Sequence, residues 1–152
     1  MEENREAMNK AIKLLAVRAH STFELRHKLR QKGFSAAATN FAISECLRLK
    51  FLDDRQFAEM YLQELQSRGY GSRRCRLAMQ RKGISGELLD ELGDHLSPEA
   101  ETERAQTLLE RKLHTLDRET DPRKKKEKAV RFMLARGFSL STIMTLYARL
   151  NS

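Results

Sequence analysis

The sequence predicts an all-α protein, an elongated tandem array of three three-helix repeats. Three observations predict it: a phrase that occurs three times, apolar residues at helical spacing, and no period-two run long enough for a strand. The phrase reads Leu29-Arg30-Gln31-Lys32-Gly33-Phe34-Ser35, Met79-Gln80-Arg81-Lys82-Gly83-Ile84-Ser85 and Met133-Leu134-Ala135-Arg136-Gly137-Phe138-Ser139. In each, an apolar residue stands four before the glycine and a large apolar residue directly follows it. A Schellman helix end requires this, with glycine in the left-handed conformation and the next side chain folded back on the last turn. The serine two residues on caps the following helix. Gly33, Gly83 and Gly137 lie 50 and 54 residues apart, which sets the repeat length.

The first helix is expected over Arg5–Ala19, with Ala7, Ala11, Leu14, Leu15 and Ala19 inward. Ser21-Thr22-Phe23-Glu24 is a capping box, opening a second helix that buries Leu25 and Leu29. Ser35 opens a third, with Ala42, Ile43, Cys46 and Leu47 inward, that stops near Lys50. Phe51–Ala58 is the hinge to the second repeat, where Asp53 caps a helix carrying Phe57, Ala58, Tyr61, Leu62 and Leu65. Leu65 and Tyr70 flank Gly69 in a further Schellman pattern. The next helix sets Cys75, Ala78 and Met79 against Arg73, Arg74 and Arg76, and the one after Gly83 carries Leu88, Leu89, Leu92 and Leu96. Ser97-Pro98 and Asp121-Pro122 each read as N-cap and first helical residue. They open helices with Ala105, Leu108, Leu109 and Leu113, then Ala129, Val130 and Met133. Ile143, Leu146, Tyr147 and Leu150 complete the last. The expected domains are therefore 1–52, 53–97 and 98–152. A lone repeat of about 50 residues has little core, so neighbours are expected to pack into an array roughly 20 Å wide and 60 Å long.

Charge is segregated. The chain carries a net +8, yet residues 22–34, 70–84 and 121–138 carry +3, +5 and +5, leaving −5 for the rest. Basic middle helices among neutral or acidic ones point to a polyanionic or acidic partner. The candidate contact residues are Arg26, Arg30 and Lys32; Arg73, Arg74, Arg76, Arg81 and Lys82; and Lys124, Lys125, Lys128 and Arg131. Tyr70 and Tyr147 read as packing residues rather than base-stacking platforms.

Catalysis has no foothold. The glycines are isolated helix terminators rather than a phosphate-cradling loop, and no nucleophile–base set is present. His20, His27, His95 and His114 show no metal spacing, and Asp53-Asp54 reads as helix capping, so neither metal nor cofactor is expected. Cys46 and Cys75 fall in apolar helical patterns and read as buried thiols. With no export signal in Met1–Arg5 and no apolar run near the roughly 20 residues of a membrane span, the expectation is a cytoplasmic monomer away from membranes.

Leu14–Ser21 with Glu24-Leu25, then Lys32-Gly33-Phe34, Phe51–Ala58, Arg68-Gly69-Tyr70-Gly71 and Lys82-Gly83-Ile84, resemble the RecX family in order and spacing. The match spans essentially the whole chain and is strongest from Leu14 to Ile84. The resemblance implies a curved array of three-helix repeats and a regulator rather than an enzyme. It implies binding in the groove of the RecA–DNA filament and inhibition of recombinase, ATPase and co-protease activities, hence roles in DNA repair, recombination and the SOS response. Two other classes stand beside it: a stand-alone DNA-binding protein of helix-turn-helix type, and a helical scaffold for another acidic partner. Weak DNA binding without sequence preference fits the first reading.

Overall fold

A computed structural model describes residues 1–93 and 97–151. The order of elements is α1 (Glu2–Val17), α2 (Thr22–Gln31), α3 (Ala36–Arg48), α4 (Asp54–Ser67), α5 (Ser72–Arg81), α6 (Gly86–Glu91), α7 (Pro98–Thr115), α8 (Pro122–Ala135) and α9 (Leu140–Leu150). All the described regular structure is helical.

The repeated phrase folds as a Schellman end each time. Gly33, Gly83 and Gly137 have φ of 96°, 77° and 94°. The amides of Phe34, Ile84 and Phe138 donate to the carbonyls of Leu29, Met79 and Met133 at 3.3, 3.1 and 3.2 Å. Ser35, Ser85 and Ser139 then accept from the amides of Ala38, Leu88 and Thr142. Gly69 makes a fourth such end, with the Tyr70 amide on Leu65 O. Lys50 ends α3 at φ 64° without a glycine.

The chain forms two compact units: residues 1–61 with 79–88, and 62–78 with 89–152. In the first, α1, α2 and α3 pack together around Ala7, Ala11, Leu25, Leu29, Ala42, Ile43, Cys46 and Leu52. In the second, α7, α8 and α9 close on Ala105, Leu109, Ala129, Met133, Phe138, Ile143, Leu146 and Tyr147. Residues of the second repeat contribute to both units.

Four local readings are corrected. Helix α1 ends at Val17, and Ala19 is exposed in the turn that follows. Leu47 is exposed, because Ile43 and Cys46 already fill the inward stripe of α3. Helix α6 spans six residues, so Leu92 is buried in the turn beyond it; Leu96 lies outside the described residues, as does His95. Asp53 caps α4 through the Gln56 amide, whereas Asp54 accepts from the Thr22 amide at 2.7 Å, tying α4 to the start of α2.

Candidate functional site

The middle helices α2, α5 and α8 hold the basic residues because their other faces are committed to the core. Leu25 and Leu29, Cys75 and Met79, and Ala129 and Met133 are buried one turn apart, which turns the intervening cations outward. In the first unit Arg26, Lys32 and Arg81 are exposed, while Arg30 donates to Phe34 O at 3.0 Å and so caps the exit of α2. Lys82 is half-buried and consumed internally: its Nζ donates to Glu24 Oε2 at 2.8 Å and lies 5.6 Å from the Tyr61 ring centre. In the second unit Arg73 is exposed, Arg76 is half-buried, and Arg74 donates to Ala135 O at 3.0 Å. Lys124 and Arg131 are exposed, Lys125 is half-buried, and Lys128 pairs with Glu119 at 2.8 Å. The candidates are thus not equivalent. Lys82 and the exposed Lys128 each pair with a carboxylate, whereas Arg26, Lys32, Arg73, Arg81, Lys124 and Arg131 face solvent.

Within each unit the start of one middle helix meets the glycine corner of the next. In the first joint the Ser21 hydroxyl donates to Lys82 O, and Glu24 takes Lys82 on Oε2 and Arg18 through a two-pronged bond of 2.7 and 3.2 Å. Glu24 also accepts from the Ser21 amide, completing the capping box. Burial pushes the Glu24 carboxyl up, but the bonds from Arg18, Lys82 and Ser21 outweigh it and hold its pKa at about 2. His20 is buried beside this cluster. Its Nδ1 sits 3.0 Å from Arg18 O and its Nε2 2.7 Å from Lys28 Nζ. A carbonyl accepts only and an ammonium donates only, so the proton is on Nδ1 and the ring is neutral.

The second joint follows the same plan. Gly71 donates to Arg136 O, and the Arg73 amide to Gly137 O at 3.2 Å. A Cβ on Gly71 would lie 2.6 to 2.7 Å from the backbone of Gly137 and Phe138, which is why only glycine fits. Counted back from their glycines, Arg18, His20 and Glu24 correspond to Arg68, Tyr70 and Arg74, and Lys82 corresponds to Arg136. The carboxylate of the first joint is therefore an arginine in the second. Arg74 lies 3.8 Å above the Tyr70 ring, and Arg136 lies 5.6 Å from the same ring and 5.2 Å from Phe132. Arg136 Nη1 donates to Arg68 O at 2.8 Å, while the Arg68 guanidinium turns to Glu64. The sequence reading takes Glu24 as a capping residue alone and does not count Arg136 among the candidate cations. The glycine register already aligns them with Lys82 and Arg74, and that charge reversal was the available signal.

Cys46 and Cys75 are buried free thiols; burial raises both, Cys75 to about 11. Among the described residues no group of three His, Cys, Asp or Glu side chains is placed to hold a metal ion, and no helix is long and apolar enough to cross a membrane. A groove of about 560 Å³ opens beside Tyr70, lined by Gln66, Thr107, Leu108 and Phe138 among others.

Family models described as the first, second and third three-helix domains of RecX match residues 7–46, 53–92 and 99–146. The chain is 39% identical over 133 residues to a protein named regulatory protein RecX from Pasteurella multocida, covering 87% of this chain and 80% of that one. A like-named protein from Chlorobaculum tepidum is 34% identical over 146 residues, covering 94% and 88%. The crystal structure of RecX from Lactobacillus salivarius superposes with a TM-score of 0.84 at 21% identity, over 99% of this chain and 97% of that one. The last is a likeness of fold.

Proposed function

The chain belongs to the RecX family, and from that premise we propose that it binds in the groove of the RecA–DNA filament and inhibits its recombinase, ATPase and co-protease activities. The observation that carries this reading is the placement of outward cations on successive middle helices, with Arg73, Arg81, Lys124 and Arg131 exposed. A recombinase filament is a helical track with phosphate close by. Three linked repeats, bounded at 1–52, 53–97 and 98–152, reach successive subunits as one ligand and gain avidity without a tight individual contact. Occupying the groove blocks entry of homologous duplex and the subunit motions coupled to ATP turnover. The chain acts as a cytoplasmic monomer, with weak DNA binding that lacks sequence preference.

The test is strand exchange and ATP hydrolysis by purified recombinase, titrated with this protein at substoichiometric ratios. Inhibition well below one chain per subunit supports the proposal. Full activity at every ratio refutes it. Tight, sequence-specific binding to free duplex would instead favour a stand-alone DNA-binding protein.

A further inference from the structure

We propose that the second joint, built from Arg74, Arg136 and Tyr70, is an oxyanion site that takes a phosphate from outside the chain. It rests on reading the α5 cations as anion contacts, and does not depend on the recombinase.

The molecule holds two equivalent joints that differ in the charge of one residue. At the first joint Glu24 supplies the oxyanion: its two oxygens take Arg18 and Lys82, so both cations share an internal carboxylate. At the second, the residue in the Glu24 position is Arg74, so the internal carboxylate is replaced by another cation. Arg74 and Arg136 pack on one Tyr70 ring, and each donates to a helix-terminal carbonyl, Ala135 O and Arg68 O. Neither forms an ion pair with a carboxylate among the described residues. Glu64, the nearest acid in sequence to this corner, is taken by Arg68, and Glu103 and Glu110, which share the groove beside Tyr70, form no ion pair with either arginine. A guanidinium carries five N–H donors in a rigid fork, and the carbonyl bonds leave most of them unused. The ring and the carbonyls fix both side chains in place before any ligand arrives, which lowers the ordering cost of binding. A preset guanidinium fork favours a phosphate, whose oxygens match its paired N–H donors, over chloride, which offers no such oxygens. Arg73, exposed at the start of α5, extends positive charge outward from the joint. Such a phosphate is borne by a nucleic-acid backbone or is free in solution.

The test uses the full chain and one informative substitution. Arg74→Glu rebuilds at the second joint the charge arrangement that the first already uses, so it is expected to fold. Arg136→Met, which keeps the apolar stem on Tyr70 and Phe132, is the second variant. Thermal midpoints are compared in inorganic phosphate and in chloride at matched ionic strength, and affinity for an oligothymidylate is measured across a salt series. The expected result is a phosphate-specific rise in midpoint for the unaltered chain that both variants lose. Oligothymidylate affinity falls about tenfold in the variants, with the salt slope reduced by about 0.7 for each phosphate contact removed. A response to free phosphate identifies a small-anion site; a response to the oligomer alone identifies a backbone contact. Either supports the proposal, whereas variants that match the unaltered chain with both probes overturn it. Recombinase inhibition lost while phosphate binding persists would count against the proposed function and leave this site standing.

Discussion

Glu24 and Lys82, 58 residues apart in sequence, form a bond of 2.8 Å with the carboxylate 11% exposed and the lysine 29%. Because the same carboxylate also takes Arg18, its loss removes charge-assisted bonds from two cations. Glu24→Gln is expected to destabilise the chain by about 1.5–3 kcal/mol, the range for hydrogen bonds to charged groups, read as a lower denaturant midpoint. The folded pKa of about 2 lies below the ordinary 4.5, so this contribution is full above pH 4.5 and lost as pH falls from there toward 2. Acid titration of the Gln variant is expected to lack that part of the transition.

His20 gives a second pH dependence in a different window. Burial lowers its pKa from 6.5, the Arg18 carbonyl bond opposes the shift, and the charges of Arg18 and Lys28 reinforce it against Glu24. Protonating Nε2 would set an imidazolium against the Lys28 ammonium, whose own pKa burial lowers. Folding therefore favours the neutral ring. Its contribution is full above pH 6.5 and declines as pH falls below that value. Chemical denaturation at pH 7.5 and 5.5 is expected to show lower stability at 5.5. His20→Gln, which keeps a donor and an acceptor, is expected to flatten the difference.

Gly71→Ala places a methyl group into the backbone of the Gly137 corner. The expected cost is about 1–3 kcal/mol of overpacking, seen as a lower thermal midpoint. Gly86→Ala, whose Cβ would meet nothing within 4 Å, is the control and is expected to be neutral or slightly stabilising. Equal effects of the two substitutions would contradict the close approach at the second joint.

The thiols of Cys46 and Cys75 are expected to resist modification in the native chain. Both are buried, and with Cys75 near 11 little thiolate forms at pH 8. An aromatic disulfide reagent should label the denatured chain within minutes and leave the native one unlabelled over the same time. The raised pKa also means that Cys75 supports the fold fully below pH 9 and progressively less as pH rises toward 11.

The helices were legible because their signals are local. Ser21 with Glu24, Ser97 with Pro98 and each glycine corner decide an element boundary within five residues, and the structure forms all of them. The limits of α1 and α6 were less legible. Ala19 and Leu92 continue an apolar pattern, but the chain leaves the helix before reaching either. The exposure of Leu47 was hidden for a related reason, since apolar spacing alone does not say which stripe meets a neighbour. The joints are long-range, pairing residues such as Arg74 and Ala135 that are 61 positions apart, and no local rule announces them. Among the candidate cations, sequence gave the positive helices but not the distinction between Lys82, tied to Glu24, and Arg73, open to solvent.

The proposed role is tested most directly by equilibrium binding of the labelled full chain to preassembled recombinase filaments on single-stranded DNA. The same titration is run against recombinase alone and DNA alone. Filament binding at least about tenfold tighter than to either component is predicted, a difference of about 1.4 kcal/mol. The preference should weaken when Arg73, Arg74 and Arg76 are replaced together by alanine in a chain that still folds. Equal affinity for filament and for bare DNA, or no binding to the filament, would contradict the account.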